Sequence, residues 1–355
     1  MKVAVVHNSA REGVICQFRK PSPERYGKRT IRRVAESLRT EGHTVALLEG
    51  DKSLLTELER FMPPDPVTGA PTGLVLNLAY GIQGESRYTH VPAMLELAGI
   101  PYTGSAPLGH AVALDKAVAK RLMIGAGVLT PWYAMMERRD PLDPELRFPL
   151  VVKPRHESTS YGLELVHTGE ELRAAVDGVV ARFEQAALVE EYIEGREVCV
   201  GVLGNELLEV LPTVELSFCD RALRLVTYGD KYHRRPDEPE KLCPAPLTPR
   251  LAQWVKQLAC ATFRACQARD YGRVDIRIDR SGHPYVLELN SMASLGAGGS
   301  FVGAAEAAGY SFERLVNRIV EIASERYFGS RHRNAGSPAL PAEAHASSHA
   351  AGVAG

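Results

Sequence analysis

Strand and helix patterns alternate without a break over residues 1 to about 105, and this limits the fold more than any other feature of the chain. KVAVV is an apolar run, and Ile31, Val34, Ala35 and Leu38 then fall at helical spacing. TVALL, a short helix near 52–61 and GLVLNL follow, and after them the helix VPAMLELAG, closed by Gly99, and the short strand IPY. Such alternation implies a parallel sheet covered on both faces. The proline-rich piece 62–73 is a surface connection within this unit. VAVV, preceded by a single lysine and followed at once by polar residues, reads as a buried strand and not as a secretory leader.

The rest of the chain alternates less regularly. Asp115-Lys116 opens a helix through Leu122, a break follows at 125–131, and the loop PLDPELRFP leads into the strand PLVVKP. Thr168 and Glu171 form a capping-box pattern ahead of Leu172, Ala175, Val176, Val179 and Phe183. ALVEEY is a strand, and EVCVGVLGNELLEVLP is a hairpin turning at Gly204-Asn205. Residues 217–247 are polar and aperiodic, too long for a plain connection, and suit a functional flap. Thr248-Pro249 and Ser311 cap two further helices. From about Ser330 the Ala/Ser/His/Pro-rich sequence predicts a disordered tail.

Composition excludes several classes of protein. The 355 residues are 45% hydrophobic and 24% charged, with a net charge of −1, so no basic field recruits nucleic acid or anionic lipid. No apolar run approaches the ~20 residues of a membrane span. Six scattered cysteines without a CxxC pair and eleven histidines without HxxxH or HExxH spacing suit a reducing cytoplasm and give no zinc pattern.

The segment from Gly272 to Asn290, GRVDIRIDRSGHPYVLELN, reads as two strands, Val274–Ile278 and Tyr285–Leu289, around a turn at 279–282. Side-chain alternation puts Arg273, Asp275 and Arg277 on one face, and Glu288 and Asn290 on one face of the second strand. If the faces coincide, Asp275, Glu288 and Asn290 offer hard oxygen ligands suited to Mg²⁺ carrying nucleotide phosphates. Alone, the pattern equally describes a solvated surface hairpin.

Other segments have similar double readings. Lys153 ends a buried strand ahead of the hydroxyl-rich loop Arg155–Gly162, an arrangement that can hold polyphosphate or mark an exposed strand end. Glu190, Tyr192, Ile193 and Glu197 could border an adenine and ribose pocket, or be a strand with solvated glutamates. Asp115-Lys116, the turn from Tyr228 to Tyr232, and Asn77–Gly81 at a strand end are ambiguous in the same way.

The order of the pieces carries more weight than any one of them. LELAGIPYTGS (95–105), Leu114-Asp115-Lys116, FPLVVKP (148–154), LVEEY (188–192), YGDKY (228–232), Arg273-Val274-Asp275 and Leu287-Glu288-Leu289-Asn290 together resemble D-alanine–D-alanine ligase and its relatives in the ATP-grasp superfamily, over roughly residues 1–325. The resemblance implies a mixed α/β and α+β chain of three domains with ATP held between the last two. These are a Rossmann-like unit at 1–112, a central subdomain at 113–205 and a C-terminal subdomain at 206–328 with its flap at 217–247; the tail is 329–355. It implies ATP, Mg²⁺ (two ions, with Mn²⁺ as a substitute), small amino-acid-like substrates, a cytoplasmic homodimer and a place in peptidoglycan synthesis. It also implies a carboxylate–amine ligase working through an acyl phosphate.

Residue by residue, the resemblance places Lys116, Lys153 and Lys231 on ATP phosphates, with Glu190, Tyr192 and Ile193 at adenine and Glu197 on the ribose. Asp275, Glu288 and Asn290 bind the metal, and Arg273 steadies the acyl phosphate. Lys231, Tyr232, Thr159 and Ser160 complete the catalytic set. The departures fall where amino acids should bind: His7–Gly13 replaces GGxSxE, and Tyr80 stands where ALHG has histidine. Ser158–Gly162 replaces GSSxG, Asn290–Ser294 replaces NTxPG, and Gly299, with Ser300 next to it, replaces a substrate-binding serine. Two rivals keep parts of this reading: a dipeptide or specialised-metabolite ligase, and a nucleotide-binding regulator without catalysis.

Overall fold

The computed structural model describes residues 1–8, 24–219, 221, 224–232 and 239–329, the side chains of 231 and 232 excepted. In order the elements are β1 (Lys2–His7), α1 (Lys28–Thr40), β2 (Thr44–Glu49), α2 (Leu54–Phe61), β3 (Gly73–Asn77), α3 (His90–Leu97), α4 (Pro107–Leu114) and α5 (Lys116–Gly125). Then come β4 (Tyr133–Met136), β5 (Leu150–Pro154), β6 (Glu164–Val166), α6 (Gly169–Phe183), β7 (Ala187–Glu191), β8 (Gly195–Gly204), β9 (Leu208–Val210) and β10 (Val214–Ser217). The chain continues through α7 (Tyr228–Tyr232), β11 (Glu240–Leu242), α8 (Pro249–Ala265), β12 (Asp270–Asp279), β13 (Pro284–Asn290), α9 (Ser300–Ala307) and α10 (Phe312–Phe328).

The first unit is a parallel sheet in the order β2-β1-β3. β1 is central and buried on both faces, which is why VAVV carries no polar alternation. Val3 and Val5 pack with Ile31, Val34 and Leu38 of α1 and with Leu315 and Ile319 of α10. Ala4 and Val6 pack on the other face with Leu54, Leu58, Val91 and Leu95 of α2 and α3. The predicted strand IPY is reduced to one parallel bridge between Val75 and Tyr102.

A four-stranded antiparallel sheet, β4-β7-β5-β6, is backed by α6. The capping pattern at its start forms: Thr168 accepts the Glu171 amide, and the Glu171 carboxylate accepts the His167 amide at 2.7 Å. The larger sheet runs β11-β10-β8-β12-β13, with β9 on β8. The sequence division at residue 205 groups Gly195–Gly204 with the smaller sheet; its hydrogen bonds run instead to β12 along its whole length and to β10. The Gly204 hairpin forms as expected between β8 and β9.

One buried carboxylate joins these parts. Asp270, fully buried at the start of β12, takes Arg326 of α10 at 2.8 and 3.1 Å, the Gly104 amide at 2.8 Å and Asn205 at 2.9 Å. Its backbone sits at φ 64°, a left-handed conformation that aspartate tolerates better than most residues.

Candidate active site

A cleft of about 800 Å³ opens between the two antiparallel sheets, with the carboxyl end of the parallel sheet at one side. The β12–β13 hairpin supplies its floor. Arg273 pairs in register with Asn290 and Asp275 with Glu288, and a register shift follows immediately after Asp275. The two polar faces therefore coincide. Arg273 grips Asp275 with two bonds of 2.7 Å, and the Asn290 amide nitrogen reaches the same carboxylate at 3.0 Å. Burial works against the Arg273 cation, but Asp275 outweighs it and holds the guanidinium firmly protonated.

The opposite wall is cationic. Lys116 follows the N-cap Asp115, whose carboxylate accepts the amides of Ala117 and Val118 and a two-bond grip from Arg155 at 2.8 and 2.6 Å. Burial pushes the Asp115 carboxyl up, yet hydrogen bonds from His156, Arg155 and Val118 outweigh it and leave it well below the usual range. The Lys116 ammonium meets the Glu157 carbonyl, and desolvation draws its pKa down against the attraction of Glu288. Lys153 on β5 pairs with Glu190 on β7 at 2.5 Å, and Lys120 of α5 reaches the same carboxylate at 3.0 Å. Burial favours the uncharged lysine at 153, but Glu190 and Glu288 reverse that and raise its pKa. At Glu190 burial raises the pKa, and the two lysines outweigh it and lower it.

Thr159 and Ser160, both at φ 58°, border the cleft in the loop after β5. Gly299 caps α9 and Ser300 begins it, both in the lining. Tyr80 stacks on Tyr26 with ring centres 5.2 Å apart, and Tyr88 leans on Tyr80 at 5.7 Å. Glu197 also lines the cleft and is held by Arg277 at 2.9 Å.

The structure thus brings together Tyr80, Lys116, Lys153, Thr159, Ser160, Glu197, Arg273, Asp275, Glu288, Asn290, Gly299 and Ser300. It does not put Glu190, Tyr192 or Ile193 in the lining: Glu190 is buried between its lysines, and the Ile193 carbonyl accepts Arg277 Nε at 2.6 Å. Lys231 and Tyr232 lie in α7, with side chains outside the described residues, as are residues 9–13 of the altered N-terminal loop and the tail from 330. Sequence reading missed Lys120, Arg87, Glu24 and Tyr26, none of which has a motif of its own. It also left Arg277 on the polar face, whereas it is only 1% exposed and organises the 192–197 segment.

Among the described residues no group of three or more His, Cys, Asp and Glu side chains is arranged to hold an ion. Two carboxylates and an amide are a lean set, which fits a hard cation that brings phosphate oxygens and water as its remaining ligands. No helix among the described residues is long and apolar enough to cross a membrane. His110, fully buried with its pKa pushed down to about 3 by desolvation, meets Ser291 as a neutral ring at 2.8 Å and steadies the turn after Asn290.

Two antiparallel sheets closing on a cleft, behind a parallel N-terminal sheet, define an ATP-grasp protein. The same fold is seen in the D-alanine–D-alanine ligase of Bacillus anthracis complexed with ATP, with a TM-score of 0.71 at 21% identity, covering 92% of this chain and 98% of that one. Residues 129–321 match the family described as D-ala D-ala ligase C-terminus. The D-alanine–D-alanine ligase of Carboxydothermus hydrogenoformans is 32% identical over 323 residues, 88% of this chain and 98% of that protein. That of Syntrophobacter fumaroxidans is 34% identical over 71% of this chain and 80% of its own length. "Uncharacterized protein y4sG" of Sinorhizobium fredii is 51% identical over 93% of this chain and 99% of that protein. The chain belongs to the D-alanine–D-alanine ligase family.

Proposed function

We propose that this protein is an ATP- and Mg²⁺-dependent ligase that joins two amino-acid-like substrates through an amide bond. The observation that carries the reading is the single cleft in which the Arg273/Asn290 and Asp275/Glu288 pairs face Lys116 and Lys153. In this reading a carboxylate oxygen of the first substrate attacks the γ-phosphorus of ATP and ADP leaves. The amine of the second substrate then attacks the acyl carbon, gives up a proton, and phosphate departs.

Each step gathers negative charge on oxygens, so fixed cations in a water-poor site stabilise it best. Lys116 and Lys153 neutralise the phosphates, the 155–162 loop shields them, and Arg273 holds the transferring phosphoryl and the tetrahedral oxyanion. Asp275, Glu288 and Asn290 would hold Mg²⁺, which when bound supplies charge neutralisation between the phosphates. Glu197, which lines the cleft, meets the ribose; the roles that the resemblance gives Lys231 and Tyr232 fall on side chains outside the described residues. Cytoplasmic location and a homodimer go with this reading by family analogy.

D-alanyl-D-alanine is the family default product. The stacked Tyr26 and Tyr80 at the cleft wall favour a second reading, in which the same chemistry serves another dipeptide or specialised metabolite. Incubation with ATP, Mg²⁺ and a panel of D- and L-amino acids should release ADP and phosphate, and the product mass will separate the two readings. No ADP release across a broad panel contradicts both.

A further inference from the structure

The N-terminal unit and the loop after β5 meet at one buried guanidinium. Arg87 opens a single 3₁₀ turn, Arg87–Thr89, and is only 3% exposed. Its Nη1 donates to the His156 carbonyl at 3.1 Å, and its Nη2 lies 3.4 Å from the Glu157 carboxylate and 3.6 Å from that of Glu24. Both carboxylates line the cleft, and Arg87 stands behind them. Glu24 also accepts the Tyr88 hydroxyl at 2.5 Å.

The Arg87 Nε has no partner among the described residues. A buried guanidinium with an unmade hydrogen bond at Nε costs stability, and what offsets that cost here is its pairing with the Glu24 and Glu157 carboxylates and the His156 carbonyl. The position is therefore better explained by what it holds than by packing.

The two sides it joins are held in different ways. On the N-terminal side, Gly81 at φ 78° packs so tightly that a Cβ there would lie 2.1 Å from the Arg87 carbonyl oxygen, and its amide is fixed by Asn8 at 2.9 Å. The turn bearing Arg87 is thus closely backed by the chain at Gly81. On the other side the loop carries two consecutive left-handed residues, Thr159 and Ser160. That conformation is uncommon for residues other than glycine, most of all for the branched Thr159, and persists only where the surroundings over-determine it. Glu157 is where those constraints meet: its carbonyl takes Lys116, and its carboxylate takes Arg87 and, at 3.2 Å, Gln185.

We propose that Arg87 is a positioning residue that locks the 155–162 loop in register with the N-terminal unit, so that the loop and Lys116 meet the triphosphate already arranged. The proposal rests on the nucleotide reading of the cleft given above. Arg87 touches no reacting atom; it acts through His156 and Glu157. Order built in before binding is order that the ligand need not impose.

The test uses the full chain, with a non-hydrolysable ATP analogue plus Mg²⁺ titrated by calorimetry and hydrogen exchange followed in residues 155–162. Arg87→Met is expected to weaken the analogue about tenfold and to speed exchange in that loop, leaving the six-stranded sheet as protected as before. Arg87→Lys should recover part of the affinity, and Glu157→Gln should weaken binding in the same direction. Wild-type affinity and loop protection in both Arg87→Met and Glu157→Gln overturn the proposal. If Arg87→Met does not fold, Arg87→Lys and Glu157→Gln decide, and wild-type behaviour in both overturns it. Failure of the unaltered protein to bind the analogue removes the nucleotide reading itself, and this proposal with it.

Discussion

The Glu288→Gln variant is expected to lose turnover by about 10³-fold, measured as amine-dependent ADP release, while keeping its fold. The change preserves shape and removes one negative charge from a half-buried position directly opposite Asp275. Two consequences add. The oxygen set for a hard cation is reduced to one carboxylate and two neutral amides, and that carboxylate is already gripped by Arg273. The attraction that Glu288 exerts on Lys116 and Lys153 also disappears, and with it part of the support for their charged forms. Both effects act where phosphate charge must be neutralised, so the loss should appear in kcat as well as in the KM for ATP. An undiminished rate would remove this hairpin from the chemistry.

The second large effect concerns stability. Asp270→Ala is expected to destabilise the protein by about 3–5 kcal/mol, because it leaves Arg326 without its counter-ion and the buried Gly104 amide without its acceptor. For a chain of this size that corresponds to a fall in Tm of about 4–7 °C. Asp270→Asn retains an acceptor and tolerates the left-handed backbone, so it should lose less. Asp270→Gly relieves the backbone but not the missing partners, and should resemble alanine. Calorimetry on the three variants separates lost bonding from backbone strain, and equal, small losses in all three would show that the junction is not fixed by this carboxylate.

Periodicity made some of this architecture readable and left other parts invisible. VAVV, the helices capped by Asp115, Thr168, Thr248 and Ser311, and the β12–β13 hairpin all announce themselves by spacing and capping chemistry. Several elements do not, among them α4, β4, β6 and α9. Helix α4, PLGHAVAL, is buried at Gly109, His110, Val112, Ala113 and Leu114, so no polar face marks its period. Helix α9, SFVGAAEA, consists largely of small residues with the same result. β4 and β6 are four and three residues long, too short for alternation to register.

The same limit applies to the site. Asp275, Glu288 and Asn290 are legible because they alternate within one hairpin. Lys120 and Arg87 are not, because their meaning lies in partners far along the chain, Glu190 for one and His156 and Glu157 for the other. Pairings of that kind are set by how the sheets pack. Arg277 shows the converse: alternation puts it beside Asp275, and the register shift after Asp275 accompanies its withdrawal to the buried carbonyls of Ile193 and Gly195.

The account depends on nucleotide and metal meeting in this cleft, and a crystal structure with a non-hydrolysable ATP analogue and Mg²⁺ tests it most directly. The predicted result has the γ-phosphate between Lys116, Lys153 and the 155–162 loop, with Mg²⁺ on Asp275, Glu288 and Asn290 and Arg273 beside the phosphate. An analogue bound elsewhere, with those four hairpin side chains turned to open water, would contradict it.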